Sequence, residues 1–168
     1  MTIRDARERD LARIDEIYAH SVRTSTATFD TEMPQPPARR AWFAQHTPDR
    51  FALLVADGGR EVLGWATLSA WSDRCAYART AEVSVYVHHQ HQRQGIGRAL
   101  MGALIERARA NGFGVLLSRI ADRQPASIAL HRAFGFETVG VMRRVGEKFG
   151  RVLDVELMDL HLDGPPDG

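Results

Sequence analysis

The chain has 168 residues, of which 44% are hydrophobic and 26% are charged, and its formal net charge is +1. This is the size and composition of one globular domain, which we expect to span residues 1–163. The near-neutral charge argues against a general nucleic-acid-binding protein. The first thirty residues contain no long apolar run, so we expect neither a signal peptide nor a membrane anchor. The single cysteine, Cys75, fits a reducing compartment, and we expect a cytoplasmic protein.

The first half of the chain mixes helix and strand signals. Apolar positions recur at three and four residues after Asp10, which predicts an amphipathic helix with Asp10 as its N-cap. The Ser/Thr-rich stretch Thr24–Thr31 predicts a loop. In chain order, the predicted elements are a strand over Thr2–Asp5, a helix from Asp10 to near Arg23, a helix from Pro36 or Pro37 that ends before Pro48, and a hairpin of strands over Phe51–Ala56 and Glu61–Ala70.

The second half is organised around one strand and the helix that follows it. Ala81–Val87 alternates, so that Glu82, Ser84 and Tyr86 share one face of a strand. In chain order, the predicted elements are this strand, a helix over Ala99–Ala110, a strand over Phe113–Ile120, a helix from Pro125 to before Gly135, strands over Phe136–Val145 and Leu153–Leu162, and a frayed tail over 164–168.

Between the strand and the helix lies the stretch His91–Arg98, which contains Gly95 and Gly97 and two arginines. Glycines allow a tight turn with exposed backbone N–H groups, and the positive end of the next helix attracts an anion. The pattern therefore predicts a phosphate site. A dinucleotide-binding fold is the competing interpretation, but its third glycine would fall at Leu100. A Walker loop is disfavoured because Gly-Lys-Ser/Thr is absent.

Several motifs resemble those of the GNAT superfamily of acyl-CoA N-acyltransferases. They are the spacing Gln92-x-x-Gly95-x-Gly97 after a strand, the helical segment Ala126–His131, and Phe134-Gly135-Phe136. Three other stretches resemble the branch that acetylates phosphinothricin and methionine sulfone, namely Thr24–Glu32, Ala81–Val87 and Lys148–Arg151. The resemblance covers nearly the whole chain. It implies an α/β GNAT fold with a mixed, mostly antiparallel sheet of about seven strands and helices on both faces.

The resemblance implies acetyl-CoA as the acetyl donor and no metal. In this superfamily the strand before the glycine loop holds the pantetheine arm through its backbone and separates from the next strand. The Val87 N–H is then the candidate donor to the developing oxyanion. The residues expected to bind the cofactor are Val85, Tyr86, Val87, Gln92, Arg93, Gln94, Gly95, Ile96, Gly97, Arg98, Gln124 and Ser127. Gln124 stands where the branch usually has asparagine, which departs from its pattern.

Two residues are candidates for proton transfer. Glu82 matches the position of the general base proposed for the branch; the alternative is a structural carboxylate paired with Arg74 or Arg79. His131 stands where many superfamily members carry a tyrosine that protonates the leaving thiolate, and the phosphinothricin branch also has histidine there. The alternatives for His131 are a purely structural role or a hydrogen bond to the sulfur.

The residues expected around the acceptor combine positive charges with aromatic rings. Arg74 and Arg79 flank the strand that bears Glu82, and the hairpin tip Lys148–Arg151 abuts the acceptor pocket in the resembling branch. The expected acceptor-binding residues are Phe29, Arg74, Tyr77, Arg79, Lys148 and Arg151. The alternative interpretation is that these arginines are surface charges.

Three histidines, His88, His89 and His91, precede the glycine loop. No carboxylate or cysteine stands at a spacing that would complete a metal site with them. We therefore expect a solvated loop near the CoA phosphates rather than a metal centre.

Together, these observations predict an enzyme that transfers acetyl from acetyl-CoA to the α-amine of a small amino acid or analogue, such as methionine sulfone, methionine sulfoximine or phosphinothricin. Direct attack is expected because no activated nucleophile is evident. The branch pairs through sheet edges, and Val152–Leu162 would otherwise be an open edge strand, so we expect a homodimer and neither a nucleic-acid nor a membrane partner. Two alternatives remain open: an acetyltransferase for protein N-termini or polyamines, and a non-catalytic acyl-CoA-binding regulator.

Overall fold

The computed structural model describes residues 1–163, which contain seven strands and four α-helices. The tail predicted over 164–168 lies outside the described residues. In chain order, the elements are β1 (Thr2–Asp5), α1 (Leu11–Thr24), α2 (Pro36–Ala44), β2 (Leu53–Asp57), β3 (Val62–Ala70), β4 (Thr80–Val87), α3 (Ile96–Ala110), β5 (Val115–Ala121), α4 (Pro125–Arg132), β6 (Glu137–Lys148) and β7 (Arg151–His161).

All seven strands form one sheet in the order β1-β2-β3-β4-β5-β7-β6. Neighbouring strands run antiparallel except β4 and β5, which are parallel. A parallel pair needs a crossover connection, and α3 provides it. The predicted mixed and mostly antiparallel sheet is confirmed.

Helices cover both faces of this sheet because alternate residues of its strands point to opposite sides. On β2, Leu54 and Ala56 belong to a buried cluster that includes residues of α3, whereas Leu53 and Val55 belong to a second cluster with residues of α1. The prediction of helices on both faces is therefore confirmed. No helix within residues 1–163 is long and apolar enough to cross a membrane.

Asp10 occupies the predicted N-cap position directly before α1, but its side chain makes no cap hydrogen bond to that helix. It ends a single 3-10 turn, Glu8–Asp10, and its carboxylate accepts hydrogen bonds from the Arg7 N–H at 2.8 Å and from Arg4 Nη1 at 2.7 Å. Arg4 also donates to Asp57 at 2.8 Å. Arg4 of β1 therefore links the end of β2 to the start of α1 through charge-assisted hydrogen bonds.

The open edge on the C-terminal side of the sheet is β6, and the prediction that the last strand forms this edge is wrong. β7 pairs with β5 on one side and with β6 on the other. The pairing of β6 has register irregularities at Thr138/Gly140 and Met142/Gly146. The exposed apolar side chains on β6 are Val139, Val141, Met142 and Val145. An edge that is both open and apolar is a candidate surface for self-association.

Candidate active site

β4 and β5 separate along their length, and the gap between them is the centre of the site. They pair over three residue pairs in the described chain, the last of which joins Glu82 to Leu117. Beyond this pair β4 continues to Val87 beside β3, and β5 continues to Ala121 beside β7. Residues of both strands line a cavity of about 830 Å³. Since backbone groups that face a missing strand need other partners, the freed edge of β4 can bind an extended ligand.

The glycine loop forms one end of the cavity. Gly95 has a left-handed φ of 80° and directly precedes α3, which begins at Ile96, three residues before the predicted Ala99. Gly95 has no side chain to cap the helix, so the first N–H groups of α3 can meet an anion. Gly97 has no left-handed φ; a Cβ there would contact Leu130 at 3.6 Å and Val87 at 3.7 Å. Of the two glycines, Gly95 therefore makes the turn, together with Arg93 at a φ of 61°, while Gly97 lies where α3 passes α4 and β4.

Glu82 lies where the gap between the two strands opens, and its side chain is 16% exposed. Its carboxylate binds Arg119 of β5 through both oxygens: Nε donates to one at 2.7 Å and Nη2 donates to the other. The prediction that a structural Glu82 would pair with Arg74 or Arg79 is therefore wrong about the partner. The bidentate contact fixes the position of the carboxylate beside the gap, where its oxygens can accept a proton.

His131 lines the cavity from α4. Its Nδ1 is 2.8 Å from the backbone oxygen of Ser127. A carbonyl oxygen only accepts, so Nδ1 carries the proton and Nε2 presents a lone pair. Burial lowers the pKa of His131 below its usual 6.5, although the bond to Ser127 opposes this shift. The neutral ring thus accepts at Nε2, which is buried without a hydrogen-bond partner within residues 1–163. His131 can protonate a thiolate only after Nε2 itself has gained a proton.

The loop between α1 and α2 forms a wall of the cavity and is held by three other elements. Tyr18 of α1 donates to Asp30 at 2.6 Å, Gln124 donates to Thr26 at 3.1 Å, and Lys148 of β6 donates to the Thr28 carbonyl at 2.7 Å. Lys148 is buried, and burial lowers the pKa of its amine. The side chains of Lys148 and Gln124 therefore donate hydrogen bonds to this loop. The sequence predicts instead that Lys148 binds the acceptor and that Gln124 binds the cofactor.

The predicted cofactor residues converge on the cavity with one exception. Those that line it are Val85, Tyr86, Val87, Gln92, Arg93, Gly95, Ile96, Gly97, Arg98, Gln124 and Ser127. Gln94 does not line it in the described structure; its side-chain amide donates to the Gln90 carbonyl at 3.4 Å.

The predicted acceptor residues mostly lie elsewhere. Of the six, Phe29 alone lines the cavity formed by the described residues. Arg74 and Tyr77 are exposed in the connection between β3 and β4. Arg79 pairs with Asp163, and Arg151 pairs with Asp122 at 2.9 Å. These two guanidinium groups contact carboxylates at exposed positions rather than Glu82.

Sequence reasoning missed Arg119, which also lines the cavity. The signal was a charged residue between Ser118 and Ile120 of an otherwise apolar predicted strand. That alternation indicates which face Arg119 occupies. It does not indicate which neighbouring strand Arg119 will meet.

The histidines before the glycine loop pack against one another with tilted rings rather than standing apart in solvent. His88 is buried, its ring centroid is 4.3 Å from that of His89, and His89 stacks on His20 of α1 at 4.1 Å. The expectation of a fully solvated loop is therefore wrong for His88. Residues 1–163 contain no group of three or more His, Cys, Asp or Glu side chains placed to hold a metal ion.

The fold and the site together define a class of protein. A cavity along a freed strand edge, with a helix start and arginines beside it, fits a cofactor that has a peptide-like arm and phosphates, as acyl-CoA does. The sequence agrees: residues 3–157 match the family described as acetyltransferase (GNAT) domain. The chain belongs to this family and is an acyltransferase.

Two curated relatives and one solved structure illustrate the similarity. The chain is 42% identical over 163 residues to the L-methionine sulfoximine/L-methionine sulfone acetyltransferase of Pseudomonas paraeruginosa, covering 96% of this chain and 95% of the relative. It is 39% identical over 163 residues to a phosphinothricin N-acetyltransferase of Alcaligenes faecalis, covering 96% and 83%. The yncA acetyltransferase of Salmonella typhimurium, solved with acetyl-CoA, superposes with a TM-score of 0.93 at 38% identity, covering 98% of this chain and 95% of that one. The predicted superfamily and branch are confirmed.

Proposed function

We propose that this protein transfers the acetyl group of acetyl-CoA to the α-amine of a small amino acid or analogue. One observation carries the proposal: the freed edge of β4, the start of α3 and the Glu82 carboxylate face the same cavity. A binding-only protein would need the first two features but would not need a carboxylate fixed beside the gap. The names of the two relatives support methionine sulfone, methionine sulfoximine and phosphinothricin as acceptors.

The proposed reaction is a direct transfer. Backbone groups of Val85–Val87 hold the pantetheine arm, and the N–H groups at the start of α3 bind its phosphates. Glu82 accepts the proton of the acceptor's ammonium group, directly or through a water, which frees the nitrogen lone pair. The nitrogen bonds to the thioester carbon while the Val87 N–H stabilises the oxyanion. The attacking nitrogen then loses its second proton, which the Nε2 lone pair of His131 can accept. The C–S bond breaks, and the protonated His131 returns this proton to the departing thiolate.

At the acceptor end we assign Phe29 a binding role and Arg119 a positioning role. Phe29 belongs to the loop that Lys148 holds, and a Cβ at Gly146 would overlap its ring, so the ring lies directly on β6. Arg119 orients Glu82 and its side chain is 52% exposed, which leaves it accessible to a carboxylate. Lys148 then serves the acceptor indirectly, by holding the Phe29 loop.

We further propose that the protein is a cytoplasmic homodimer. Support for the dimer comes from β6, an edge strand whose exposed side chains include Val139 and Val145. Support for the compartment comes from the single, exposed Cys75.

A thiol-release assay with a panel of acceptors tests the proposed function. The panel contains methionine sulfone, methionine sulfoximine, phosphinothricin, a peptide with a free N-terminus and spermidine. We expect CoA release with the first three at rates well above those for the last two. Faster turnover with the peptide or spermidine would contradict the amino-acid assignment. Acetyl-CoA binding without turnover on any acceptor would favour the regulator.

A further inference from the structure

A second, smaller pocket opens beside the main cavity on the side of the sheet that α1 and α2 cover. Its volume is about 330 Å³, and it shares five lining residues with the main cavity: Tyr18, Asp30, Ser69, Ser84 and Tyr86. A ligand in the main cavity can therefore extend into the smaller pocket. Ser84 and Tyr86 alternate with Glu82 on one face of β4, so the smaller pocket lies on the side of the strand that carries the carboxylate.

Two donors in this pocket are buried without partners. Arg39 of α2 is 6% exposed and Trp65 of β3 is 2% exposed, and both line the pocket. Arg39 donates through Nε to Asp15 at 2.7 Å, but its Nη2 and the indole Nε1 of Trp65 have no hydrogen-bond partner among residues 1–163. Buried polar groups nearly always have partners in native proteins. Two residues that line one pocket and each hold an unpaired, buried N–H group point to oxygen atoms supplied by a ligand.

The walls of the pocket are flat and aromatic. The Arg39 guanidinium lies 4.0 Å from the centre of the Trp42 ring, Trp42 packs edge-on against Trp65 at 5.8 Å, and Trp65 stacks on Tyr86 at 4.7 Å. Aromatic contacts on several sides keep these rings in place. Such walls fit an unbranched apolar side chain, and the unpaired donors require acceptor oxygens on it. A cationic side chain would be repelled by the positive charge of Arg39.

We propose that this pocket binds the oxidised end of the acceptor's side chain, with Arg39 Nη2 and Trp65 Nε1 donating to oxygens on sulfur or phosphorus. The inference rests on the proposed function and adds to it the residues that select the acceptor. It predicts discrimination between methionine sulfone and methionine, which share the same carbon chain and differ in the sulfur oxygens. A site that hydrogen-bonds a polar substituent rejects the analogue that lacks it, because its own donors are then left unpaired.

The test compares kcat/KM for methionine sulfone and for methionine in the wild type and in three variants. Trp65→Phe removes the indole N–H and keeps an aromatic ring. Arg39→Met removes the guanidinium and keeps a long side chain. Arg40→Met is the matched control, since Arg40 is the exposed neighbour on the same helix. We expect the sulfone-to-methionine ratio to fall about fivefold in Trp65→Phe and more than about tenfold in Arg39→Met, and to stay unchanged in Arg40→Met.

The ratio of the two kcat/KM values separates loss of side-chain recognition from loss of folded protein, because misfolding lowers the activity on both substrates equally. An unchanged ratio in Trp65→Phe with native circular dichroism would overturn the proposal even if Arg39→Met fails to fold. If the wild type acetylates neither amino acid, the proposed function fails while the pocket can still be tested by calorimetry. In that experiment both proteins are saturated with CoA, and the affinity for methionine sulfone is compared between the wild type and Trp65→Phe. Tighter binding by the wild type would support the pocket, whereas equal affinities or no binding would overturn it.

Discussion

At the scale of single residues, the site depends on the orientation of one carboxylate and on the protonation state of one histidine. Arg119 donates to both carboxylate oxygens of Glu82 and so fixes their orientation. His131 is kept neutral by burial, with its proton on Nδ1. Both side chains thus present lone pairs towards the cavity. In the proposed reaction the first proton movement is therefore acceptance by the protein rather than donation.

Glu82→Gln should prevent this side chain from accepting a proton from the acceptor's ammonium group and should change little else. We expect turnover to fall about 10²-fold or more, since a general base contributes about that much, while the dissociation constant of acetyl-CoA stays within about twofold. Steady-state kinetics and calorimetry measure the two quantities. Raising the pH should restore part of the rate by deprotonating the amine in solution. Glu106→Gln, at an exposed site on α3, is the control, and wild-type turnover in Glu82→Gln would make Glu82 a structural residue.

Buried histidines predict how stability depends on pH. Burial lowers the pKa values of His88 and His131 from 6.5, and each side chain is 5% exposed. Below pH 6.5 these histidines therefore bind more protons in the unfolded chain than in the folded chain, so the free energy of unfolding falls as the pH decreases.

Urea unfolding at pH 7.5, 6.5 and 5.5 measures this effect. We expect stability to decrease below about pH 6.5, by up to about 1.4 kcal/mol per pH unit for each such histidine. Carboxylates titrate mainly below about pH 5 and contribute little in this window. His131→Gln should flatten the dependence, whereas His161→Gln, at an exposed position of β7, should not. Constant stability from pH 7.5 to 5.5 would contradict the assignment of a lowered pKa.

At the scale of elements, the connection from β4 to α3 decides where the cofactor can lie. Gly95 turns the chain with a left-handed φ, and α3 starts at once with its free N–H groups next to the freed edge of β4. A peptide-like arm and a phosphate group therefore meet adjacent parts of one connection. Gly97, one residue into the helix, has room for a Cβ at ordinary contact distances.

Gly97→Asp and Gly97→Asn form a matched pair that differs by one negative charge. The Cβ that both variants add meets its neighbours at ordinary contact distances, and an acidic residue in the first helical turn is not destabilising. We expect acetyl-CoA to bind Gly97→Asp about tenfold more weakly than Gly97→Asn, a difference of about 1.4 kcal/mol, because the added charge opposes the phosphates. Calorimetry on both variants gives the comparison. Equal affinities would place the phosphate site away from this loop.

At the scale of the whole molecule, the two edges of the sheet differ. One edge is the short strand β1, and the other is the long strand β6 with its exposed valines. Lys148 and Gly146 of β6 also contact the loop that carries Phe29. Self-association through β6 would therefore involve the same strand that contacts the loop carrying Phe29.

Val139→Glu tests the proposed dimer by placing a charge on this edge. Across a two-fold axis, one substitution introduces a desolvated charge on each copy, which should favour the monomer. Sedimentation at micromolar concentration should give twice the chain mass of 18.8 kDa for the wild type and the single mass for the variant. Ala76→Glu, in the exposed connection between β3 and β4, is the control. A wild-type protein that sediments as a monomer would refute the dimer.

Local patterns in the sequence were sufficient for most of the elements. The strand Thr2–Asp5 has the same bounds in the structure, the second helix starts at Pro36, and the glycine loop directly precedes a helix. Periodicity, proline and glycine act on the backbone within a few residues, so a sequence contains these signals in readable form. The family resemblance supplied the cofactor and the position of Glu82.

Only the tertiary structure decided which side chains meet. Glu82 and Arg119 are 37 residues apart, and Lys148 and the Thr28 carbonyl are 120 apart. Their contacts follow from strand pairing and from the path of a loop across the sheet. The same holds for the identity of the edge strand, the proton position on His131 and the unpaired donors of Arg39 and Trp65. The composition of a strand indicates which face its side chains occupy, whereas the order of strands in a sheet is a non-local property that determines what those faces contact.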